Sequence, residues 1–117
     1  MMNVAHEERN RNVYENFEVE KDILFFKVGR LGLVSFHGRN YNIKKQLPND
    51  QLNVYISSGL FVNVHSNYYV NLDKIVALED GCLRFDQGGA ESKVVQVPRW
   101  RQSYMKNLIV GRKHRAI

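Results

Sequence analysis

The stretch "FVNVHSNYYVNLDKI", residues 61–75, is the most informative part of the sequence for the fold, and it raises the question of function. Apolar and polar residues alternate on both sides of a polar interruption, a pattern typical of two β-strands joined by a turn. The interruption consists of His65, Ser66 and Asn67, and two tyrosines follow it. These side chains either form the turn itself or are presented to a binding partner.

The rest of the chain predicts a mainly β domain with two or three short helices. Short runs rich in branched and aromatic residues, separated by glycine-bearing turns, predict seven or eight strands. These runs lie at 23–28, 33–37, 41–43, 60–64, 70–72, 74–80, 82–86 and 93–97.

Two segments predict helices. Pro48 suits the beginning of the first helix and Gly59 its end. The second helix is predicted at 98–109, with a proline in its first turn. Apolar residues recur in it at four-residue spacing, which predicts one face packed against the core. These residues are Trp100, Tyr104 and Leu108 on one line and Met105 and Ile109 on the next.

Length and composition indicate one compact domain. The chain has 117 residues, 44% of them hydrophobic and 25% charged, which suits a single modest core. We divide it into a polar N-terminal arm or short helix at 1–21, a folded domain at 22–110 and a basic C-terminal tail at 111–117.

Some functional classes are disfavoured by what the sequence lacks. It has no apolar run of about 18 to 20 residues and no secretory signal pattern. The single cysteine, Cys82, allows no intrachain disulfide and no cysteine-type zinc site. We therefore predict a cytoplasmic protein that does not enter a membrane and uses no metal or other cofactor.

Basic residues are concentrated in two segments. The net charge is +5, and the residues from 98 onward hold six basic residues and no acid, so the whole excess lies there. A second segment, 27–45, holds five basic residues and no acid. Such local charge density favours a polyanionic partner. The alternative is a basic tail that only keeps the protein soluble.

Three interpretations of the polar interruption compete. An enzymatic role would need His65 to activate a nucleophile or bind a metal, but neighbouring strand residues point to opposite faces and the histidines are scattered. We therefore predict that the chain is not an enzyme. In a structural role, His65 is a satisfied core histidine, and the amides of Asn67 and Asn71 hold the local backbone, Asn71 above all. In a nucleic-acid-binding role, the polar side chains contact phosphates and base edges.

Four motifs in a fixed order carry a resemblance to a known family. They are "DILFF" at 22–26, "QLPNDQL" at 46–52, the signature "FVNVHSNYYVNLDKI" and "VQVPRWRQSYMKNL" at 95–108. Together they resemble the LytTR DNA-binding domain of bacterial response regulators. The resemblance covers the chain from about Glu20 to Ile109, with matching spacings.

The resemblance implies an elongated domain of antiparallel β-sheets that lays loops into successive major grooves of double-stranded DNA. It implies base-reading residues in the loop after the first strand, around the signature histidine and at the end of the last strand. Carried over by position, these residues are Arg30, His65, Ser66, Asn67 and Arg99. Leu31 is the other candidate position in the first loop, and the chemistry of arginine favours Arg30.

Further side chains are candidates for contact with the DNA backbone. Arg101 falls within the apolar arc of the second helix, where an arginine usually reaches past the core, and a phosphate is a suitable partner. The other candidates for phosphate contact are Lys27, Lys44, Lys45, Tyr68 and Lys113.

The sequence thus predicts a sequence-specific transcriptional regulator. A receiver domain of about 100 residues cannot be accommodated beside this domain. We therefore expect a free-standing domain or a fragment of a longer regulator. Besides double-stranded DNA, the candidate partners are a second copy on repeated sites and a regulatory protein bound through the N-terminal arm.

Departures from the family pattern support an alternative. Many members carry arginine at the positions of Asn63 and Ser66, and a bidentate guanine contact is worth about 1 to 3 kcal/mol of discrimination. The alternative is an interaction module that keeps the fold, lacks specific DNA binding and antagonises a related regulator. A single-stranded nucleic-acid binder is less favoured, because we expect Phe25, Phe26 and Phe61 in the core rather than exposed for base stacking.

Overall fold

The computed structural model describes residues 18–86 and 92–115, with side chains as far as Arg112. Most of the predicted N-terminal arm therefore lies outside the described residues. The strands are β1 (Phe25–Val28), β2 (Leu33–His37), β3 (Asn42–Gln46), β4 (Phe61–His65), β5 (Tyr68–Asn71), β6 (Ala77–Glu79), β7 (Cys82–Arg84) and β8 (Val94–Gln96). The helices are α1 (Val19–Asp22), α2 (Asn49–Ser57) and α3 (Arg99–Arg115), and 3-10 turns span Arg30–Gly32 and Leu72–Lys74. The mainly β prediction is confirmed.

The described strands form two antiparallel sheets. The large sheet has the order β3-β2-β1-β5-β4, and β6, β7 and β8 form the small sheet. Because β1 lies beside β5, the loop that follows β1 and the turn that precedes β5 lie at the same edge of the large sheet. We call this edge the loop edge.

Successive strand residues point to opposite faces, and each face of the large sheet packs against a core over part of its area. Phe26 belongs to the core between the sheet and the first two helices, with Val19 and Leu52. Phe25 belongs to the core on the other face, under the small sheet and α3, with Leu83 and Met105. The expectation that Phe25, Phe26 and Phe61 are core residues is confirmed, since each is buried.

Asn71 holds the local backbone as predicted and, beyond the prediction, also contacts a segment far away in the sequence. Its side chain is fully buried, and its Nδ2 donates to the main-chain oxygens of Glu20 and Ile23 at 2.9 and 3.0 Å. Its Oδ1 accepts from the main-chain nitrogen of Asp73 at 3.0 Å. A buried amide with these partners satisfies main-chain groups that would otherwise lose their hydrogen bonds. Asn71 therefore ties α1 to the start of the 3-10 turn after β5.

The C-terminal helix is longer than predicted. We expected it to end at residue 109 and to be followed by a basic tail from 111, but α3 continues to Arg115. Arg112, on this extension, donates its Nε to the carboxylate of Asp73 at 3.0 Å. Nothing in the local sequence before Arg115 forces a break, because Gly111 lowers helix propensity without ending the helix.

The apolar face of α3 also differs from the prediction. Met105 is fully buried and Leu108 and Ile109 pack against the same core. Trp100 and Tyr104, which the four-residue spacing placed on the packed face, are 73% and 46% exposed. The reason is that the core contacts α3 on the side that carries Met105, Leu108 and Ile109, so only Trp100 and Tyr104 of the Trp100 line stay exposed.

Candidate nucleic-acid interface

The loop edge brings together two of the three places where base-reading residues were predicted. The main-chain nitrogen of Val28 donates to the oxygen of Asn67 at 3.0 Å, and the Asn67 side-chain amide donates back to the oxygen of Val28. This pair joins the loop that carries Arg30 to the turn that carries Ser66. Asn67 is half-buried and positions the two loops relative to each other.

The first loop is held rigidly around an exposed leucine. Arg30 and Leu31 are both exposed, and Leu31 has a left-handed backbone with φ of 57° and a side chain that is 90% exposed. Its main-chain oxygen accepts from Nε2 of Gln46 at 2.6 Å. A left-handed conformation costs an ordinary residue about 1 to 2 kcal/mol. The sequence analysis noted Leu31 only as the other candidate position in this loop.

The signature turn between β4 and β5 is shaped by Asn63. Its Nδ2 donates to the main-chain oxygens of Ser66 and Tyr68 at 3.0 and 3.2 Å. The strand pairing shifts between Asn63 and His65, and Ser66 has a positive φ of 44°. A β-bulge of this kind re-aims side chains at the end of a strand. Ser66 is exposed at the tip of the turn as a result.

Several predicted residues form one row across the large sheet. Strand register places Lys44 opposite Ser35, Ser35 opposite Lys27, and Lys27 opposite Tyr68. Tyr68 is in turn opposite His65, and their rings are 4.7 Å apart. We call these five residues the basic row. With about 4.8 Å between neighbouring strands, it spans about 19 Å. The Lys27 ammonium lies 5.5 Å from the centre of the Tyr68 ring.

The structure separates Lys45 from the basic row. Lys45 pairs with Val34, whose side chain lies in the core under α2, so Lys45 faces the opposite side of the sheet from Lys44. There it lines a cleft with the acidic residues Glu18 and Glu20. In the sequence, both lysines belong to one basic segment. A count of charges along the chain does not show that neighbouring strand residues point to opposite faces of the sheet.

Arg101 has partners within the protein. Its Nη2 and Nε donate to the main-chain oxygen of Asn63 at 2.7 and 3.2 Å. Its guanidinium also lies 4.2 Å from the centre of the Tyr104 ring. Arg101 thus links α3 to β4, an edge strand of the large sheet. Lys113, another predicted phosphate contact, lies beyond the last described side chain.

Arg99 lies at the start of α3 and is exposed. One cleft contains His65 and a second contains Arg99 and Lys106. Asp80, Gly81 and Gln102 line both clefts. Neither Asp80 nor Ser35 of the basic row stands out in the sequence as a candidate for this surface. Only strand pairing and helix placement bring either residue to this surface.

One histidine near the basic row has a perturbed pKa. The ring of His37 stacks on Phe25 with 4.5 Å between ring centres. Burial lowers the pKa of His37, and the positive charge of Lys93 lowers it further. Lys93 donates from Nζ to the main-chain oxygens of Gly38 and Tyr41 at 2.6 and 2.9 Å. This lysine therefore connects the segment before β8 to the hairpin between β2 and β3.

Two further properties concern other classes of function. In residues 18–86 and 92–115, histidine, cysteine and carboxylate side chains do not cluster in a group of three that could hold a metal ion. Over the same described ranges, no helix is both long and apolar enough to cross a membrane.

Comparison with known proteins identifies the fold. No protein-family model matches the chain, and no curated protein is significantly similar to it in sequence. Among solved structures, the chain is similar to the LytTr DNA-binding domain of a protein described as a methyl-accepting/DNA response regulator from Bacillus cereus. The TM-score is 0.55 at 16% sequence identity, over 77% of this chain and 83% of that one. The chain therefore has a LytTR-like fold, as its motifs predicted.

Proposed function

We propose that this protein is a sequence-specific double-stranded DNA-binding transcriptional regulator. The observation that carries the proposal is the hydrogen-bonded pair of Val28 and Asn67, which holds the Arg30 loop beside the Ser66 turn. Neighbouring strands are about 4.8 Å apart, and the major groove is about 12 Å wide, so the two loops fit into one groove together. The LytTR-like fold supports the same conclusion, because the similar Bacillus cereus domain is described as DNA-binding.

In this proposal, Arg30 and Ser66 contact base edges, and His65 supports the turn from the end of β4. Arginine reads guanine through two hydrogen bonds, and serine accepts or donates to either type of base. Arg99 lines a different cleft from His65 and, in this proposal, reads a separate position in a successive groove. The three reading positions are therefore divided between two regions of the DNA.

The basic row supplies the contacts with phosphates. Lys27 and Lys44 are exposed and two strands apart on the same face, about 10 Å from each other. Ser35 lies between the two lysines and Tyr68 lies on the other side of Lys27. Both carry hydroxyl groups that donate to phosphate oxygens. Such contacts position the protein on the duplex and make its affinity depend on salt. Arg101 acts differently in this proposal, because it holds β4 to α3 rather than contacting DNA.

The decisive experiment is selection from random duplex DNA with the purified protein. We expect a short enriched motif, and we expect affinity for it to exceed affinity for scrambled DNA at both low and moderate salt. Binding to every sequence should weaken as salt rises, because counterions are released from the neutralised phosphates. A pool that shows no enrichment after repeated rounds would refute sequence-specific binding.

A second candidate function is a protein-interaction module that antagonises a related regulator. The observation in its favour is the exposed pair Trp100 and Tyr104, one turn apart on α3. Large aromatic residues are enriched at protein interfaces. The salt dependence separates the two functions, because an aromatic-centred protein interface lacks the steep salt dependence of phosphate contacts. If the protein is an interaction module, the Trp100→Ala variant should lose binding to the partner protein. If it is a DNA-binding regulator, the same variant should keep its affinity for DNA.

A further inference from the structure

We propose that Leu31 recognises the 5-methyl group of a thymine in the major groove, and so contributes specificity alongside the polar residues of the loop edge. This inference rests on the proposed function. The side chain of leucine neither donates nor accepts a hydrogen bond, so its contact with a base must be apolar. The thymine methyl is the apolar feature of the major-groove base edges, and apolar side chains are its usual partners.

The first observation is that an apolar side chain is fully presented to solvent at the tip of a loop. Leu31 is 90% exposed, the highest value among the large hydrophobic residues described. Single exposed leucines are common on protein surfaces and carry no meaning alone. The conformation of this one distinguishes it, because its backbone is left-handed, with φ of 57°. Glycine or asparagine would be the favoured residue at such a position if the loop were only a connection.

The second observation is that the surrounding loop is fixed. The main-chain nitrogen of Gly29 donates to the oxygen of Leu33 at 2.7 Å, and that of Leu47 donates to the oxygen of Gly32 at 3.0 Å. Both glycines are required by this geometry: an added Cβ would lie 2.8 Å from the oxygen of Leu33 at Gly29 and 2.9 Å from that of Leu47 at Gly32. The loop therefore holds Leu31 outward rather than letting it fold back onto the core.

The third observation is the location of the loop. Val28 ends β1 immediately before it and is hydrogen-bonded to Asn67 of the signature turn. Leu31 therefore projects from the same edge as Ser66, with the cation of Arg30 beside it. A rigid apolar side chain between polar and basic groups can contact a methyl group while its neighbours contact base edges and phosphates.

The test uses the DNA motif that the protein selects from random duplexes. Each thymine of the motif is replaced singly by deoxyuridine, which lacks only the 5-methyl group and keeps the same base pairing. We expect one replacement to weaken binding by the wild-type protein about fourfold, the effect of removing one buried methyl group. The Leu31→Ala variant should bind the two duplexes equally.

Two further variants make the test specific. Leu31→Asn favours the left-handed backbone, so it should fold at least as stably as the wild type and still lose the response to the methyl group. Val54→Ala removes a similarly exposed apolar side chain, 61% exposed, from α2 on the helical side of the sheet, and should keep the full response.

The outcomes distinguish this inference from the proposed function. If the protein selects a motif but no thymine shows a deoxyuridine effect that depends on residue 31, the methyl contact is refuted and the DNA-binding function stands. If no motif is selected, the proposed function fails and the inference fails with it.

Discussion

Arg101 on α3 donates two hydrogen bonds to the main-chain oxygen of Asn63 on β4, across 38 residues of sequence. Asn63 in turn donates its side-chain amide to the main-chain oxygens of Ser66 and Tyr68. A chain of contacts therefore runs from the C-terminal helix through the edge strand to the signature turn. These contacts connect the docking of α3 to the signature turn and lead to the first prediction.

The Arg101→Ala variant should be less stable than the wild type by about 1 to 3 kcal/mol, the range for hydrogen bonds with a charged partner. The Arg101→Lys variant should recover only part of this loss, because lysine lacks the planar fork that makes both bonds. Urea denaturation measures the free energy of unfolding. Arg99→Ala is the matched control, and since Arg99 is exposed its effect should stay within about 0.5 kcal/mol. Equal effects of the two alanine variants would contradict the docking role.

Replacing Asn71 by alanine should destabilise the fold by about 2 to 3 kcal/mol. The change leaves the main-chain oxygens of Glu20 and Ile23 without the amide that they share, and unsatisfied buried groups carry a cost of this size. Urea denaturation again supplies the measurement. Asn107→Ala, at an exposed position of α3, provides the control and should change stability little or favourably. A similarly small effect at Asn71 would count against its role in joining α1 to β5.

Stability should fall as the pH is lowered from 7.5 to 5. Burial and the charge of Lys93 lower the pKa of His37 in the folded state below the ordinary value of 6.5. As the pH falls below 6.5, the unfolded chain therefore binds a proton that the folded chain resists, and the free energy of unfolding decreases. The decrease is complete below the folded-state pKa. The urea midpoint at each pH is the measured quantity.

The His37→Phe variant tests the source of this pH dependence. Phenylalanine keeps a ring against Phe25 and does not titrate, so the variant should lose less stability between the two pH values than the wild type does. An identical pH profile for both proteins would assign the effect to another group.

Lys44→Ala should weaken binding to all duplexes about equally and reduce the salt dependence of affinity by about one phosphate contact. Lys45→Ala is the matched control, because it changes the same residue type one position along β3 on the opposite face. It should leave the salt dependence nearly unchanged. Fluorescence anisotropy at several salt concentrations measures both slopes. A larger effect of Lys45→Ala would place the DNA on the helical face of the sheet.

Arg99→Ala should lose preference for the selected motif together with affinity, and Arg99→Lys should retain much of the affinity while losing the preference. The difference arises because lysine keeps the charge without the bidentate geometry that reads guanine, worth about 1 to 3 kcal/mol of discrimination. The ratio of affinities for the selected and scrambled duplexes reports the preference. An unchanged ratio in both variants would remove Arg99 from the reading residues.

Much of the fold could be predicted from local pattern. The strands were located because branched and aromatic residues recur between glycine-bearing turns, and α2 because Pro48 suits the beginning of a helix and Gly59 its end. The extent of α3 could not be predicted in this way. Its last turns are stabilised in part by the pairing of Arg112 with Asp73, which are far apart in sequence.

The candidate site divides in a similar way. Residue chemistry and the order of motifs singled out Arg30, Ser66 and Arg99 in advance, and their role as readers stays a prediction. Local pattern could not predict that Asn63 and Arg101 support the signature turn. Arg101 contacts the main-chain oxygen of Asn63 only because α3 packs beside β4. The separation of Lys44 from Lys45 depends instead on which face of β3 each side chain occupies.

Local amino-acid pattern accounts for the mainly β character of the protein, its buried phenylalanines and the polar turn of the signature stretch. These properties follow from short-range periodicity, because alternation along a strand fixes which side chains can be buried together. The folded chain, by contrast, is needed to bring Lys44, Ser35, Lys27, Tyr68 and His65 into a single row and to make Leu31 project beside Ser66. Strand order and register make those relations, and both depend on contacts between segments distant along the chain.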